Sequence, residues 1–218
     1  QQPANLTVDA LTDVNFAVVA TGIAPLTYQW KKDGADLPGA TGASLALNAV
    51  TPNAAGSYSV EVVNGQGTVS SSAATLVVNR LNPIITWATP ANIVYGSALG
   101  GSQLNAAANV AGVFDYSANP AGQFLSAGPK TLGATFTPTD TLNYNSLTPS
   151  VNLVVNNATL TIGVENETRE YGTPNPTFTV TYSGFVNDDT VVNLTSPATA
   201  STGANGTSLP GAHAVTVS

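Results

Sequence analysis

The chain contains no cysteine and no methionine among its 218 residues. Without cysteine it can form no disulfide, no thiolate metal site and no cysteine nucleophile. Methionine is missing even at position 1, which indicates a processed or excised fragment, or the ordered part of a longer protein. No apolar run approaches the roughly 18 residues of a membrane span, and no signal peptide is present.

Charge is also scarce, at 8% of residues against about 25% in average proteins. Five basic and twelve acidic residues give a net charge of −7. The basic residues do not cluster, so a nucleic-acid partner is disfavoured. At this low charge density, the net negative charge contributes to solubility rather than to the electrostatic steering of a ligand.

Glycine, alanine, threonine, serine, asparagine and valine take the place of the charged residues, and they favour strands and turns. In the first third of the chain, apolar residues alternate with a two-residue period in short runs. Turn signals at 32–34 and 64–67 separate some of these runs. Short alternating strands at this spacing predict a β-sandwich over residues 1–79. The predicted strands are 5–8, 16–20, 28–30, 44–47, 58–62 and 74–78.

Two aromatic residues strengthen this prediction. Trp30 ends an alternating run, and Tyr58 lies two residues before Val60. The segment resembles a bacterial I-set-like immunoglobulin domain, through Gly22, Trp30, Lys31, Gly34, Leu45, Leu47, Ala55, Gly56, Tyr58 and Asn64. The resemblance implies that Trp30 is buried and that Val18 and Val60 occupy the two positions where antibody-type domains carry a disulfide. The absence of that disulfide favours a bacterial source.

A short, polar, proline-terminated stretch at 79–83 predicts the first domain boundary, and it is too short for freely tumbling domains. We expect a second domain at 83–156 and a third at 157–218. These two segments match each other in three places: 85–87 with 160–162, 95–96 with 171–172, and 127–136 with 210–217.

When the second segment is used as a template for the third, the third domain lacks the closing strand or strands that would follow Ser218. Two explanations stay open at this point. The parent protein continues and the chain was cut, or a neighbouring chain supplies the strand. An open sheet edge invites pairing, so self-association through β-edges is a candidate interaction.

The second segment resembles a bacterial immunoglobulin-like repeat through 85–90, 95–96, 104–106 and 136–144. The third resembles the glycine-marked bacterial repeat of the YGX type, through 171–176 and 182–190. Such repeats occur in long secreted or surface-anchored bacterial proteins that are often described as adhesins. The resemblance therefore implies an extracellular tandem array, and it names no ligand.

Catalytic chemistry has few candidates. His213 is the only histidine, and it lies in a predicted alternating strand. A Ser–His–Asp triad would need it as the base, and a zinc site would need several more ligands. No nucleotide-binding loop or nucleophile motif is present. We expect no catalytic residues, no cofactor and no enzyme activity.

Two acidic groups are the candidates for calcium. Alternate spacing places Glu165 and Glu167 on one strand face with Glu170 nearby, and Asp188 and Asp189 follow in a loop. Calcium takes six to eight oxygen ligands, and neither group has EF-hand spacing. We therefore predict no metal site, and we interpret the aspartates as a solvated turn. Calcium binding by either group stays an open alternative.

Trp87 is the candidate for sugar binding. It shares a predicted face with Ile85, so packing is the default, but with Tyr95 or Tyr116 it could stack on a sugar ring. Lysine–asparagine cross-links need a lysine that points inward. Lys31, Lys32 and Lys130 are the only lysines. Lys31 and Lys32 follow Trp30 at a strand end and are expected in solvent, Lys130 lies near a turn, and none is in an inward position of an apolar strand.

The sequence thus predicts an all-β chain of tandem immunoglobulin-like sandwiches in an elongated rod, the last one incomplete. The predicted function is a structural or spacer segment of a bacterial extracellular or cell-surface adhesin-like protein, with a filament or sheath subunit as a variant. The alternative is a carbohydrate-binding accessory module of a secreted hydrolase. Candidate partners are neighbouring domains, a surface polysaccharide or a host ligand.

Overall fold

The structure, a computed structural model, describes all 218 residues. It is built from short strands with two single-turn 3-10 helices at Pro52–Ala54 and Val191–Asn193, so the predicted all-β, immunoglobulin-like fold is confirmed. No helix in it is both long and apolar enough to cross a membrane. The strands are β1 Leu6–Asp9, β2 Val14–Ala17, β3 Thr27–Lys32, β4 Ala35–Asp36, β5 Ser44–Leu47, β6 Gly56–Asn64, β7 Gly67–Ser70, β8 Ala74–Asn79, β9 Ile85–Thr86, β10 Ile93–Val94, β11 Ala107–Ala108, β12 Gly112–Asp115, β13 Gly128–Gly133, β14 Thr135–Pro138, β15 Ser150–Asn156, β16 Thr161–Val164, β17 Val180–Ser183, β18 Ala200–Ser201 and β19 Thr216–Val217.

The chain forms two compact units. The first contains 1–88, 106–117 and 133–150, and the second contains 89–105, 118–132 and 151–218. Residues 83–156 therefore contribute strands to both units. The division into three consecutive domains stays a prediction.

The first 79 residues of the first unit form a two-sheet sandwich. One sheet has the order β1-β8-β6-β3-β4, with β7 also paired to β6, and the other pairs β2 with β5. Strand β1 runs parallel to β8, while the remaining pairs are antiparallel. The predicted strand 16–20 begins earlier, at Val14, and its regular part ends at Ala17 because Val18 and Val19 bond irregularly to Ala43 and Gln1.

The core of this sandwich is aromatic at its centre. Trp30 and Val60 are fully buried, and Val18 is 8% exposed, so both predicted disulfide positions lie inside. The Phe16 ring stacks on Tyr58 at 4.9 Å and lies 6.2 Å from Trp30. The Tyr58 hydroxyl donates a 2.6 Å hydrogen bond to Ala54 O, which is the tyrosine corner of immunoglobulin sandwiches. Aromatic packing thus fills the space beside the valine pair.

The rest of the first unit contains two strand pairs, β9 with β11 and β12 with β14. Phe136 is 1% exposed and is the centre of this region, with Phe114 packed on it at a ring distance of 4.7 Å. Gly112 lies so close to that ring that a Cβ atom would meet Phe136 Cζ at 2.4 Å. A side chain at position 112 would therefore force the strands apart.

The second unit contains a three-stranded sheet, β10-β15-β13, with β10 parallel to β15. Its inward residues Leu132, Leu153 and Val155 are almost completely buried. The same unit contains two separate antiparallel pairs, β16 with β17 and β18 with β19. No residue from 157 to 218 is buried to the same degree.

Both matching segments of the predicted repeat form the same turn around their Tyr-Gly pair. Ser97 N–H bonds Val94 O in one, and Thr173 N–H bonds Glu170 O in the other. The glycine at the third turn position has a positive φ in each case, 95° at Gly96 and 86° at Gly172. Turns with a positive φ at this position select glycine, which gives the repeated motif a conformational cause.

Candidate functional site

The structural features that stand out are two joints between consecutive segments. The first is a clamp on the linker at 80–82. Leu81 N–H bonds Asn143 O at 2.8 Å, and Asn145 N–H returns a 2.8 Å bond to Leu81 O. The side chains add Arg80 Nε to Leu142 O and Asn145 Nδ2 to Asn82 Oδ1. The linker is therefore hydrogen-bonded along both its backbone and its side chains.

Asp140 shapes the loop that makes this clamp. Its Oδ1 accepts the backbone N–H of Asn143, and its Oδ2 accepts the Asn143 side-chain amide at 2.8 Å. These hydrogen bonds hold the pKa of the Asp140 carboxyl below its usual range, the Asn143 side chain being the largest cause. The sequence motif around Asp140, Asn143 and Tyr144 was visible in the repeat pattern, but its role in holding the linker was not predicted.

The second joint lies within the second unit. The Tyr95 hydroxyl donates a 2.8 Å hydrogen bond to Asp189 Oδ2. Beside it, Gly96 touches the loop that carries Asp189, and a Cβ atom at Gly96 would meet Val186 Cβ at 2.8 Å. The Tyr-Gly turn of the middle segment is thus packed directly on the 184–189 loop of the last segment.

The 184–189 loop is tightly wound. Asn187 and Asp188 adopt positive φ values of 54° and 60°, and Asp189 N–H bonds Val186 O. Asparagine and aspartate tolerate this left-handed region better than other non-glycine residues. The interpretation of both aspartates as a solvated turn was wrong for Asp189, which is partly buried and bonded to Tyr95.

The other candidate residues are not brought together. Glu165, Glu167 and Glu170 are exposed and follow β16 outside any strand. The structure contains no group of three or more histidine, cysteine or carboxylate side chains that could hold a metal ion. The prediction of a strand at His213 was wrong. β19 begins only at Thr216, and the His213 ring Nε2 lies 2.8 Å from Leu209 O.

Trp87 is half-buried and meets Tyr116 edge-on, with an interplanar angle of 73° and a centroid distance of 5.6 Å. Tyr116 in turn stacks on Phe114, and its hydroxyl accepts the Ala106 N–H. The two rings nearest Trp87 therefore form a packed row rather than a coplanar exposed platform.

The lysines have local partners. Lys31 was expected in solvent, but its Nζ pairs with Asp36 at 2.9 Å and Glu61 at 3.1 Å. These hydrogen bonds, with Asp36 first, raise the Lys31 pKa above its usual value. Lys32 Nζ donates to Asn53 O, and Lys130 Nζ donates to Ser126 Oγ.

Two grooves are present besides the joints. One of about 560 Å³ lies at an end of the first sandwich, beside the exposed side chains of Val19, Ile23 and Val69. The other, of about 530 Å³, is lined by 166–169 and 208–213 of the last segment. The sequence pattern pointed to neither groove.

Comparison with known proteins confirms the resemblance of the last segment, because residues 160–218 match the MBG domain (YGX type) family. Part of the chain is 30% identical over 90 residues to Endoglucanase C of Cellulomonas fimi, covering 39% of this chain and 8% of that protein. Another match is 35% identical over 83 residues to the Decoration protein of Escherichia phage T5, covering 38% of this chain and 49% of that protein. The matched regions thus span less than half of either relative.

Among solved structures, the chain is similar to the I-band fragment I67–I69 of titin, at 16% identity and a TM-score of 0.41, covering 86% of this chain and 87% of that one. It is also similar to immunoglobulin domains 1–5 of Sidekick-1, at 11% identity and a TM-score of 0.36, covering 84% of this chain and 44% of that one.

Proposed function

We propose that this chain is a non-catalytic structural segment of a bacterial extracellular or cell-surface protein, in which consecutive immunoglobulin-like repeats are held at defined joints. The observation that carries the proposal is the clamp on the linker. A linker meant only to connect two domains needs no reciprocal backbone hydrogen bonds, whereas a spacer gains stiffness from them. The match of residues 160–218 to a YGX-type repeat supports the array.

A role outside the cell is supported by composition. Few charges and many threonine, serine and asparagine residues give a polar surface, which suits an exposed array. Part of the chain is similar to a protein named as a phage decoration protein, which supports display on a surface. The candidate partners are neighbouring domains of the array and an exposed surface ligand such as a polysaccharide.

The test is a measurement of stiffness at the linker. Leu81→Pro removes the N–H that bonds Asn143 O, whereas the matched control Leu81→Ala keeps it. In ¹⁵N relaxation, residues on either side of the linker should share one rotational correlation time in the native chain and in Leu81→Ala. In Leu81→Pro, the residues before and after the linker should show two different correlation times. Two correlation times already in the native chain would overturn the spacer proposal.

The second candidate function is carbohydrate binding, favoured by the partial similarity to Endoglucanase C. The edge-on packing of Trp87 against Tyr116 gives it little support. Affinity electrophoresis against cellulose, xylan and peptidoglycan glycans distinguishes the two functions. Retardation by one glycan that Trp87→Ala abolishes, while Tyr171→Ala, at an exposed ring of the last segment, does not, would establish the binding module in place of the spacer.

A further inference from the structure

The chain contains two Asn-Gly pairs, Asn64-Gly65 and Asn205-Gly206. Asparagine is among the thermolabile residues. A glycine that follows it has no Cβ atom to keep its backbone nitrogen away from the asparagine side chain. Both pairs therefore have the covalent prerequisites for the same intramolecular reaction, but the fold places them in different surroundings.

The fold restrains Asn64. It ends strand β6, where its backbone pairs with Gly67 across the hairpin. Its Nδ2 donates to Ile23 O at 3.2 Å, and its Oδ1 accepts the Gln66 N–H at 3.0 Å. The amide nitrogen that would have to leave is thus bonded. The strand pairing also restricts the rotation that would bring Cγ onto the Gly65 nitrogen.

The side-chain amide of Asn205 is activated rather than restrained. Residue 205 is exposed and lies outside any strand. Its Oδ1 accepts two hydrogen bonds from Thr207, one from the backbone N–H at 3.0 Å and one from Oγ1 at 2.8 Å, whereas its Nδ2 makes no hydrogen bond in the protein. When a nucleophile adds to Cγ, negative charge develops on Oδ1, and the two donors stabilise that charge as an oxyanion hole does.

The nucleophile in this arrangement is the backbone nitrogen of Gly206. Its N–H has no hydrogen-bond partner in the protein, while Asn205 O, the carbonyl of the same peptide group, accepts the Arg169 guanidinium. A positive charge at that oxygen draws electron density from the peptide group and makes the Gly206 N–H more acidic. Arg169 is kept in place by hydrogen bonds to Asn175 Oδ1 at 2.9 Å and Thr173 O at 3.2 Å.

We propose that Asn205-Gly206 is a self-modification site, at which the folded chain converts the asparagine to an aspartyl or isoaspartyl residue with water as the only co-reactant. The Gly206 nitrogen forms a bond to Asn205 Cγ and closes a five-membered succinimide ring. The Cγ–Nδ2 bond breaks, and Nδ2 leaves as ammonia with the proton that the Gly206 nitrogen gives up. Water then opens the ring at Cγ to give aspartate, or at the main-chain carbonyl carbon to give isoaspartate.

The modification would act on the Tyr-Gly turn of the last segment. Gly206 O accepts the Gly172 N–H at 3.0 Å, and a Cβ atom on Gly206 would meet Thr173 O at 3.3 Å, so residue 206 is packed on this turn. The isoaspartyl product adds one main-chain atom directly before Gly206, which moves its carbonyl relative to Gly172. Either product also adds a negative charge beside Arg169. The reaction is thus a time-dependent change that the proposed structural role does not require.

The test compares the two Asn-Gly pairs within one chain. The folded protein and the same protein unfolded in urea are incubated at mildly alkaline pH. Peptide mapping by mass spectrometry then measures the mass gain of amide-to-acid conversion at each pair and separates aspartyl from isoaspartyl products. In urea the two pairs should convert at similar rates. In the folded protein we expect Asn205 to convert at least about tenfold faster than Asn64, and no more slowly than it does in urea.

A matched pair of threonine variants tests the activation. Thr207→Val removes the Oγ1 hydrogen bond and keeps the backbone N–H. It should slow the conversion of Asn205 about tenfold in the folded protein, less than in a buried oxyanion hole because water also solvates this site, and should leave the rate in urea unchanged. Thr168→Val makes the same chemical change at an exposed threonine and should alter neither pair.

Slower conversion of Asn205 in the folded protein than in urea would overturn the proposal, and so would equal rates at the two pairs in the folded protein. An unchanged rate in Thr207→Val would overturn the role assigned to the Thr207 hydroxyl.

Discussion

The hydroxyl of Tyr95 and the carboxylate of Asp189 are joined by a 2.8 Å hydrogen bond across 94 positions of sequence. Tyr95 belongs to a turn of the middle segment, and Asp189 belongs to the loop after β17 in the last segment. A single side-chain contact of this kind ties two consecutive segments of the second unit together. Its energetic weight can be measured directly.

We expect Tyr95→Phe and Asp189→Ala each to lower the stability of the last segment by about 1 kcal/mol, the usual net value of one hydrogen bond. The double variant should cost little more than either single one, since both remove the same interaction. Urea unfolding of the four proteins, followed by NMR signals of the last segment, gives the coupling energy. Strictly additive losses would show that the bond contributes nothing to the joint.

Gly96 and Gly172 offer a matched pair of substitutions. Both have a positive φ, but only at Gly96 would a Cβ atom collide with a neighbour, Val186, while Gly172 has open space. Gly172→Ala should therefore cost only the conformational strain of about 1 kcal/mol. Gly96→Ala should cost about 1–3 kcal/mol more, because the joint must open as well. Thermal unfolding compares them, and equal losses would contradict close packing at the joint.

The valine pair of the first sandwich can be tested by restoring cysteine. Val18 and Val60 are both buried in one core cluster, at the positions that the immunoglobulin pattern assigns to the disulfide. The double variant Val18→Cys/Val60→Cys should form an intramolecular disulfide in air. Closing the loop between them should stabilise the sandwich by up to about 4 kcal/mol in the chain-entropy model.

A thiol assay before and after reduction, with urea unfolding in both states, measures this effect. The control is Val18→Cys/Val63→Cys, because Val63 lies on the same strand as Val60 but is 37% exposed. Free thiols in the Val18/Val60 variant after oxidation would show that the two positions do not face each other.

The sequence allowed prediction of those parts of the fold that depend on local pattern. Strand β5 matches its predicted range, and Trp30 is buried as expected, because two-residue alternation decides which side chains face inward. The Tyr-Gly turns were visible because only glycine suits their positive φ. Contacts between distant segments were not predictable in this way. The bond of Asp189 to Tyr95 depends on how one loop packs on another, and no periodicity encodes that placement.

The same limit explains the strand that was predicted around His213. Residues 210–217 match the sequence of β13, but a strand needs a neighbour to satisfy its backbone, and β13 has β15 beside it. With no such neighbour, only Thr216–Val217 pairs, and it does so with β18 on a different edge. Local sequence sets the propensity for a strand, and the partner decides whether it forms.

Acid should loosen the linker clamp through Asp140. The Asn143 side-chain and backbone hydrogen bonds lower the Asp140 pKa, so folding favours the ionised carboxyl. A carboxyl whose pKa is lower in the folded state stabilises the fold at pH values above its unfolded-state pKa, which is near 4. That stabilisation is lost as the pH falls through the lower pKa of the folded state. Asp140→Asn mimics the protonated form. The difference in Tm between the native chain and this variant should be constant from pH 8 to about pH 5 and should shrink below about pH 4.

The control for this pH profile is Asp9→Asn, because the Asp9 side chain is exposed and forms neither an ion pair nor a hydrogen bond in the protein. Its Tm difference from the native chain should stay small at every pH, and ordinary acid effects common to both proteins cancel in the comparison. A Tm difference for Asp140→Asn that persists unchanged at pH 3 would show that the loss in this variant does not depend on the ionised carboxylate. The clamp would then be held by the shape of the 140–145 loop alone. In that case the stiffness of the linker, measured by ¹⁵N relaxation, should also not change in acid.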